Sequence, residues 1–268
     1  VSHETVIDLQ RVSLRFTTYS DKYYSLKRAC MDLFLRREQS NQSSFWAISG
    51  IDLNIRRGER IGILGANGAG KSTLLRIIAG IYSPTSGRIV VNGRVAPLIE
   101  LGAGFNFELS GEENVYLNGA LLGFDRKQMK ARINRIWDFS GLHEFASLPL
   151  KYYSTGMLSR LSFAVATEVD PDILLLDETL SVGDASFQSR ARERIHQVID
   201  RSNVVVIVSH DMDALSKICT RGLWLDRGVL QADGPIDQVI DSYIRHVGTP
   251  ASEAATTQEP DRATADAA

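Results

Sequence analysis

No run of about eighteen apolar residues occurs in this chain, so the sequence offers no membrane-spanning helix. Its first residues also lack the basic region, apolar core and cleavage site of a secretory leader. Cysteine is scarce. Cys30 and Cys219 stand far apart without metal-binding spacing and read as two free cytosolic thiols. An excess of one charge is missing as well: the net charge is −2, and the last twenty residues set Glu253, Glu259, Asp261 and Asp266 against Arg262, a balance of −3. The remainder is therefore close to +1, which is no footprint for nucleic acid. There is no internal repeat. What remains is ordinary globular composition, 44% hydrophobic and 23% charged over 268 residues, enough for one large domain or two small ones.

Against that background one stretch stands out. Residues 65–73 read Gly-Ala-Asn-Gly-Ala-Gly-Lys-Ser-Thr and fit the pattern G-x-x-x-x-G-K-[ST], with Gly65, Gly70, Lys71 and Ser72 in the fixed positions. Arg60 to Leu64 in front reads as a buried strand, and Ser72 to Ala79 behind reads as a helix stopped by Gly80. Glycines let the backbone curl until successive N–H groups point at one anion, and a Cβ there would obstruct both the turn and the phosphates. The helix N-terminus adds about half a positive charge aimed at the same place. The expected phosphate-contacting set is Gly65, Asn67, Gly68, Ala69, Gly70, Lys71, Ser72 and Thr73, with Lys71 reaching the outer phosphates and the Ser72 hydroxyl on Mg²⁺.

The rest of the chain is read around that loop. Val6 to Phe16 alternates apolar and polar residues and predicts one or two edge strands. Residues 17–45 then delay the next strand. Within them Leu26, Ala29, Cys30, Leu33 and Phe34 form one apolar helical stripe, and five basic residues between Lys22 and Arg37 face Asp21, Asp32 and Glu38, a net +2. Two readings stand for this segment: a helix at a membrane surface or against a membrane-embedded partner, and a helix packed on its own domain with a solvated charged face. Trp46 to Arg56 predicts a strand, and Arg88 to Val95 a hairpin through Asn92-Gly93. Ser110 is placed to cap a helix with Glu113 three residues on; helical patterning runs to about Leu122 and again from Gln128 to Phe139. Tyr153 to Met157 precedes another helix, ended by Asp170-Pro171, and a further helix runs through Arg190 to Ile199. Ile173 to Leu176 and Val204 to Val208 are continuous apolar runs of the kind buried on both faces of a parallel sheet. Leu223 to Asp233 reads as a hairpin through Arg227-Gly228, Pro235 to Val247 as a final helix, and the polar remainder from Gly248 as disordered.

The two buried strands end in chemistry. Open α/β sheets bind ligands outside their strand C-termini, and there the chain sets Asp177 and Glu178 after one run and His210 after the other. Asp177 suits Mg²⁺, directly or through water. Glu178 is the natural group to polarise an attacking water, and His210 is placed to bond a terminal phosphate or orient that water. In the phosphoryl-transfer template this is positioning and electrostatics with little covalent chemistry. Ser154, at a helix start, makes a second anion site. If two copies face each other, Ser154 and Gly156 of the second close on the outer phosphate held by the first.

With these pieces in this order the chain resembles the nucleotide-binding subunits of ABC transporters over about residues 6–247. The phosphate loop resembles their Walker A, Ile173 to Glu178 their Walker B with its catalytic glutamate, Ser181 to Asp184 their D-loop, and His210 their switch histidine. Tyr153-Ser-Thr-Gly-Met157 stands where the family usually has Leu-Ser-Gly-Gly-Gln, which brings Thr155 into the second copy's contact set with Ser154 and Gly156, and Asp184 with them. The resemblance implies a P-loop NTPase of α/β class, the ABC ATPase fold, with a mostly parallel core sheet, an antiparallel β subdomain and a helical signature subdomain at about 108–168. It implies an ATPase domain over 1–247 with 17–45 inserted, a tail over 248–268, and ATP with Mg²⁺ as cofactors. The implied partners are a second copy and transmembrane permease subunits, at the cytoplasmic face of a bacterial plasma membrane.

Two departures narrow the likeness. Near position 100 the family places a glutamine, and here Glu100 stands there, a carboxylate able to approach Mg²⁺. The signature carries Thr155 and Met157. With the Leu-Gly-Ala-Gly-Phe loop at 101–105 and the inserted basic segment, this pattern resembles the branch that exports O-antigen, teichoic acid and mycobacterial galactan precursors, whose ATPases carry an extra N-terminal gate helix. A lipid-linked polysaccharide is then the indirect cargo. The adenine-stacking aromatic is expected from the N-terminal strands, with Phe16 first and Tyr19 in reserve. Another exported substrate, a non-transport ABC ATPase and a regulatory cassette remain as alternatives.

Overall fold

The computed structural model describes residues 4–19, 42–99, 101–177 and 185–248. The helical stripe expected within 17–45, the Tyr19 side chain, Glu100, Glu178, Ser181 to Asp184 and the tail from 249 lie outside the described residues.

Two sheets organise the chain. A six-stranded sheet has the order β5-β6-β7-β3-β8-β9, where β3 is Arg60–Leu64, β5 Val95–Leu98, β6 Ile173–Leu176, β7 Val204–Val208, β8 Arg221–Asp226 and β9 Val229–Pro235. All neighbours are parallel except the closing β8–β9 hairpin. A three-stranded antiparallel sheet is formed by β2 (Gln42–Arg56), β1 (Thr5–Tyr19) and β4 (Ser86–Val91), in that order.

The apolar runs at β6 and β7 are buried at every position because both faces of the sheet are covered. Successive side chains point to opposite faces. Ile173, Leu175, Val204, Val206 and Val208 therefore join the core shared with β1, β2 and helix α1 (Lys71–Ile78). Leu174, Leu176, Val205 and Ile207 join the other core, built with helices α2 (Gly111–Leu121), α3 (Arg126–Ser140), α4 (Thr155–Ala166), α5 (Ala185–Arg201), α6 (Met212–Ile218) and α7 (Ile236–Gly248). Each such side chain contributes about 2 kcal/mol of gross burial. That sandwich holds the strand ends of β3, β6 and β7 in line.

Two local expectations are corrected. Val6 to Phe16 belongs to the middle strand of its sheet, because β4 returns to pair with the side of β1 that β2 leaves open. Asn92-Gly93 is no hairpin either: β4 pairs in the antiparallel sheet and β5 in the parallel one. The reason is Asp172. Its carboxylate accepts from the Arg94 N–H at 2.9 Å and so ties the chain to the start of β6, while its Cβ, 2.8 Å from where a Cβ on Gly93 would sit, leaves room only for glycine. The capping expectation at α2 holds, with the Ser110 and Glu113 side chains each bonded to the other's backbone N–H. Helix α3 begins with a second such box, Asp125 and Gln128.

Candidate functional site

Everything at this site begins where β3 stops. The loop from Gly65 to Gly70 leaves the buried strand and enters α1, whose N-cap residue is Gly70, with no side chain capping the first turn. The first N–H groups of α1 thus keep their donor capacity for a ligand. Lys71 is buried and folds back over the loop: its Nζ donates to the carbonyls of Gly65 at 2.7 Å and Ala66 at 3.0 Å. Glycine is required here for a reason beyond phosphate. Gly65 sits at φ +147°, and a Cβ on it would run into the Leu225 carbonyl; one on Gly70, at φ +104°, would lie 2.7 Å from the Ala47 carbonyl. The loop is therefore clamped between β8 and the start of β2.

A cleft of about 610 Å³ opens over the loop. Asn67, Gly68, Ala69, Gly70, Lys71, Ser72 and Thr73 form one wall. Asp177, one residue past β6, and His210, two residues past β7, line it from the neighbouring strand ends. The parallel arrangement of β3, β6 and β7 is what delivers these three stretches to one place. Phe16 lines the cleft too, from β1.

The opposite wall is aromatic, and most of it was not foreseen. Phe45 and Trp46, 58% and 49% exposed, line the cleft beside Phe16. They lie across the β1–β2 ladder from Phe16 and Arg15. The Phe16 ring packs against Phe45 at 5.7 Å and edge-on to Tyr82 at 5.5 Å, and the Arg15 guanidinium sits 5.5 Å from the Trp46 ring centre. Treating 17–45 as an insertion into a hairpin would have paired Phe16 with Phe45. Arg227, from the β8–β9 turn, is a further unforeseen lining residue.

Ser154, Thr155 and Gly156 are not brought to this cleft. They are exposed at the start of α4, where Ser154 Oγ accepts from the Met157 N–H at 3.2 Å. Tyr153 anchors that start: the residue is buried, its hydroxyl donates to the Phe145 carbonyl at 2.7 Å, and desolvation pushes its pKa up. Among the described residues no cluster of three His, Cys, Asp or Glu forms a metal cage, and no helix is long and apolar enough to cross a membrane. Ser72 and Asp177 do offer hard oxygen donors in one cleft, a set that suits Mg²⁺, which takes its remaining ligands from phosphates and water.

The sequence matches the ABC transporter family over residues 48–181. It is 38% identical over 244 residues to an O-antigen export system ATP-binding protein of Klebsiella pneumoniae, a span that covers 90% of this chain and 98% of that protein. An O-antigen export system ATP-binding protein of Myxococcus xanthus is 39% identical over 249 residues, 92% of this chain but 57% of the longer relative. A teichoic acids export ATP-binding protein of Lactococcus lactis is 39% identical over 207 residues, 77% of this chain and 44% of that one. In fold, the chain is similar to a dimeric ATP-binding cassette bound to ADP and phosphate in a post-hydrolysis state. The TM-score is 0.63 at 19% identity, covering 86% of this chain and 98% of the other.

Proposed function

The chain belongs to the ABC transporter family, and from that premise we propose that it is the ATP-hydrolysing subunit of an exporter of lipid-linked polysaccharide. The observation that carries the ATPase reading is the single cleft that holds a phosphate loop, a buried lysine, a hydroxyl, a carboxylate, a histidine and an aromatic wall. The polysaccharide reading is supported by relatives named for O-antigen and teichoic acid export at 38–39% identity.

In this reading the base lies on the wall of Phe16, Phe45 and Trp46, and the phosphates run into the loop. Backbone N–H groups of the loop and Lys71 hold the β- and γ-phosphates, favoured by the α1 dipole. Ser72 and Asp177 hold Mg²⁺, with Glu100 as a further candidate, and the ion when bound neutralises charge on the phosphate oxygens. Glu178 accepts a proton from the attacking water, whose oxygen bonds to the γ-phosphorus as the bond to the β–γ bridging oxygen breaks, giving ADP and phosphate. His210 orients the γ-phosphate or that water. Ser154, Thr155, Gly156 and Asp184 are assigned to a second copy's nucleotide. Their exposure, outside the cleft of their own chain, supports that assignment for Ser154 to Gly156. The homodimer would sit on permease subunits at the cytoplasmic face of the plasma membrane, with the inserted segment 17–45 against the permease. Nucleic acid has no part in it.

The test is ATP hydrolysis by the chain co-purified with its membrane protein in lipid vesicles, with and without a lipid-linked glycan. Glycan-stimulated turnover that Glu178→Gln abolishes supports the proposal. Turnover indifferent to glycans leaves the ATPase and removes the cargo, and no turnover favours a regulatory cassette.

A further inference from the structure

The turn between β8 and β9 is built in an unexpected way. Arg227 sits at φ +47° and Gly228 at φ +79°, the left-handed pair of a tight hairpin turn. Glycine and asparagine favour the first of these positions, and arginine, with a Cβ and no short polar group to bond locally, does not. The turn is nevertheless held firmly. Gly228 N–H donates to the Ala69 carbonyl of the phosphate loop at 2.9 Å, and the Gly228 carbonyl accepts from the Ser49 N–H at 2.8 Å. A Cβ on Gly228 would lie 2.6 Å from the Ala47 carbonyl, so the turn is wedged between the phosphate loop and the strand that carries Phe45 and Trp46. Its arginine lines the cleft. Among the described residues that guanidinium has no hydrogen bond, ion pair or ring contact, in a protein where Arg221, six residues earlier, binds both Asp233 and Glu59.

We propose that Arg227 is a nucleotide-binding residue that contacts the α-phosphate, on the sugar side of the phosphate loop. The inference rests on the ATP cleft described above. With the base on the aromatic wall and the outer phosphates in the loop, the sugar and α-phosphate span the gap between them. The 227–228 turn borders that gap. A planar guanidinium suits a phosphate oxygen there, and a cation at the mouth also raises local nucleotide concentration. The unfavourable backbone of Arg227 is then retained for its side chain.

The strain supplies the test, because Arg227→Gly relieves the backbone while removing the cation. Affinities of the full chain for ATP, ADP, AMP and adenosine would be measured by calorimetry for wild type, Arg227→Gly and Arg227→Lys, with thermal unfolding of each. The expected result is a loss of about tenfold for ATP, ADP and AMP alike in Arg227→Gly, with adenosine unchanged, partial recovery in Arg227→Lys, and an unfolding midpoint no lower than wild type. Wild-type affinity for all three nucleotides in Arg227→Gly overturns the proposal. An equal loss for adenosine also overturns it, since that loss lies with base stacking. A wild-type chain that binds no adenine nucleotide overturns the cleft reading itself, and the role of Arg227 with it.

Discussion

Glu168 is a buried charge whose loss should cost this protein heavily. Its side chain is 3% exposed, just beyond the C-terminal end of α4. One carboxylate oxygen accepts from Arg135 of α3 at 2.7 Å and the other from Arg194 of α5, so a single group fastens three helices. The Arg194 guanidinium also lies 5.6 Å from the Phe139 ring centre, so its position is fixed by packing as well as by charge. Arg135 is 64% exposed, and its share is screened to less than about 1 kcal/mol. Arg194 is 25% exposed; stripping the carboxylate from it leaves a mostly desolvated cation without its partner, a loss of about 2–3 kcal/mol. Glu168→Ala should therefore destabilise by about 3 kcal/mol, and Glu168→Gln by less, because the amide still accepts one bond. For a chain of this size 3 kcal/mol lowers the unfolding midpoint by about 6–12 °C. Scanning calorimetry on wild type, Glu168→Ala, Arg194→Ala and the double variant reads both the total and the coupling. A Glu168→Ala midpoint within 2 °C of wild type, about 0.5–1 kcal/mol, would refute the reasoning.

Three further outcomes are expected. Trp46→Ala should raise the KM for ATP about tenfold with kcat little changed, since stacking on a base is worth about 1–3 kcal/mol; an unchanged KM would move the base away from this wall. Gly65→Ala should cost at least about 2 kcal/mol and abolish nucleotide binding, because its Cβ meets the Leu225 carbonyl at a backbone angle that L residues rarely adopt; calorimetry reads both effects. Burial pushes the Cys219 thiol up from 9.0 to about 12, so the folded chain keeps a proton that the unfolded chain releases. Stability from this group is complete below pH 9 and lost as pH climbs toward 12. At pH 8 native Cys219 should resist alkylation and become labelled only on unfolding, read peptide by peptide in a mass spectrometer.

What the sequence determined by itself is local. Gly65 to Thr73 announces a phosphate loop because its glycines, lysine and hydroxyl act within nine consecutive residues. Ile173 to Leu176 and Val204 to Val208 announce buried parallel strands because their apolar character is unbroken, and they bring Asp177 and His210 with them. Ser110 announces its helix because the cap and its Glu113 are three residues apart. The tertiary structure decided what depends on approach between distant segments. Asn92-Gly93 carries a hairpin dipeptide, yet the chain crosses into the other sheet, where Asp172 holds the Arg94 N–H. Phe45 and Trp46 become a cleft wall only when β2 pairs with β1 across the inserted segment. Arg227 reaches the cleft because a turn far along the chain donates a backbone bond to Ala69. Glu168 looks like any helix-end carboxylate until α3 and α5 bring it two guanidiniums. Side chains that act through their own neighbours in sequence leave a pattern there; those that act through a packed surface do so only after folding sets the distance.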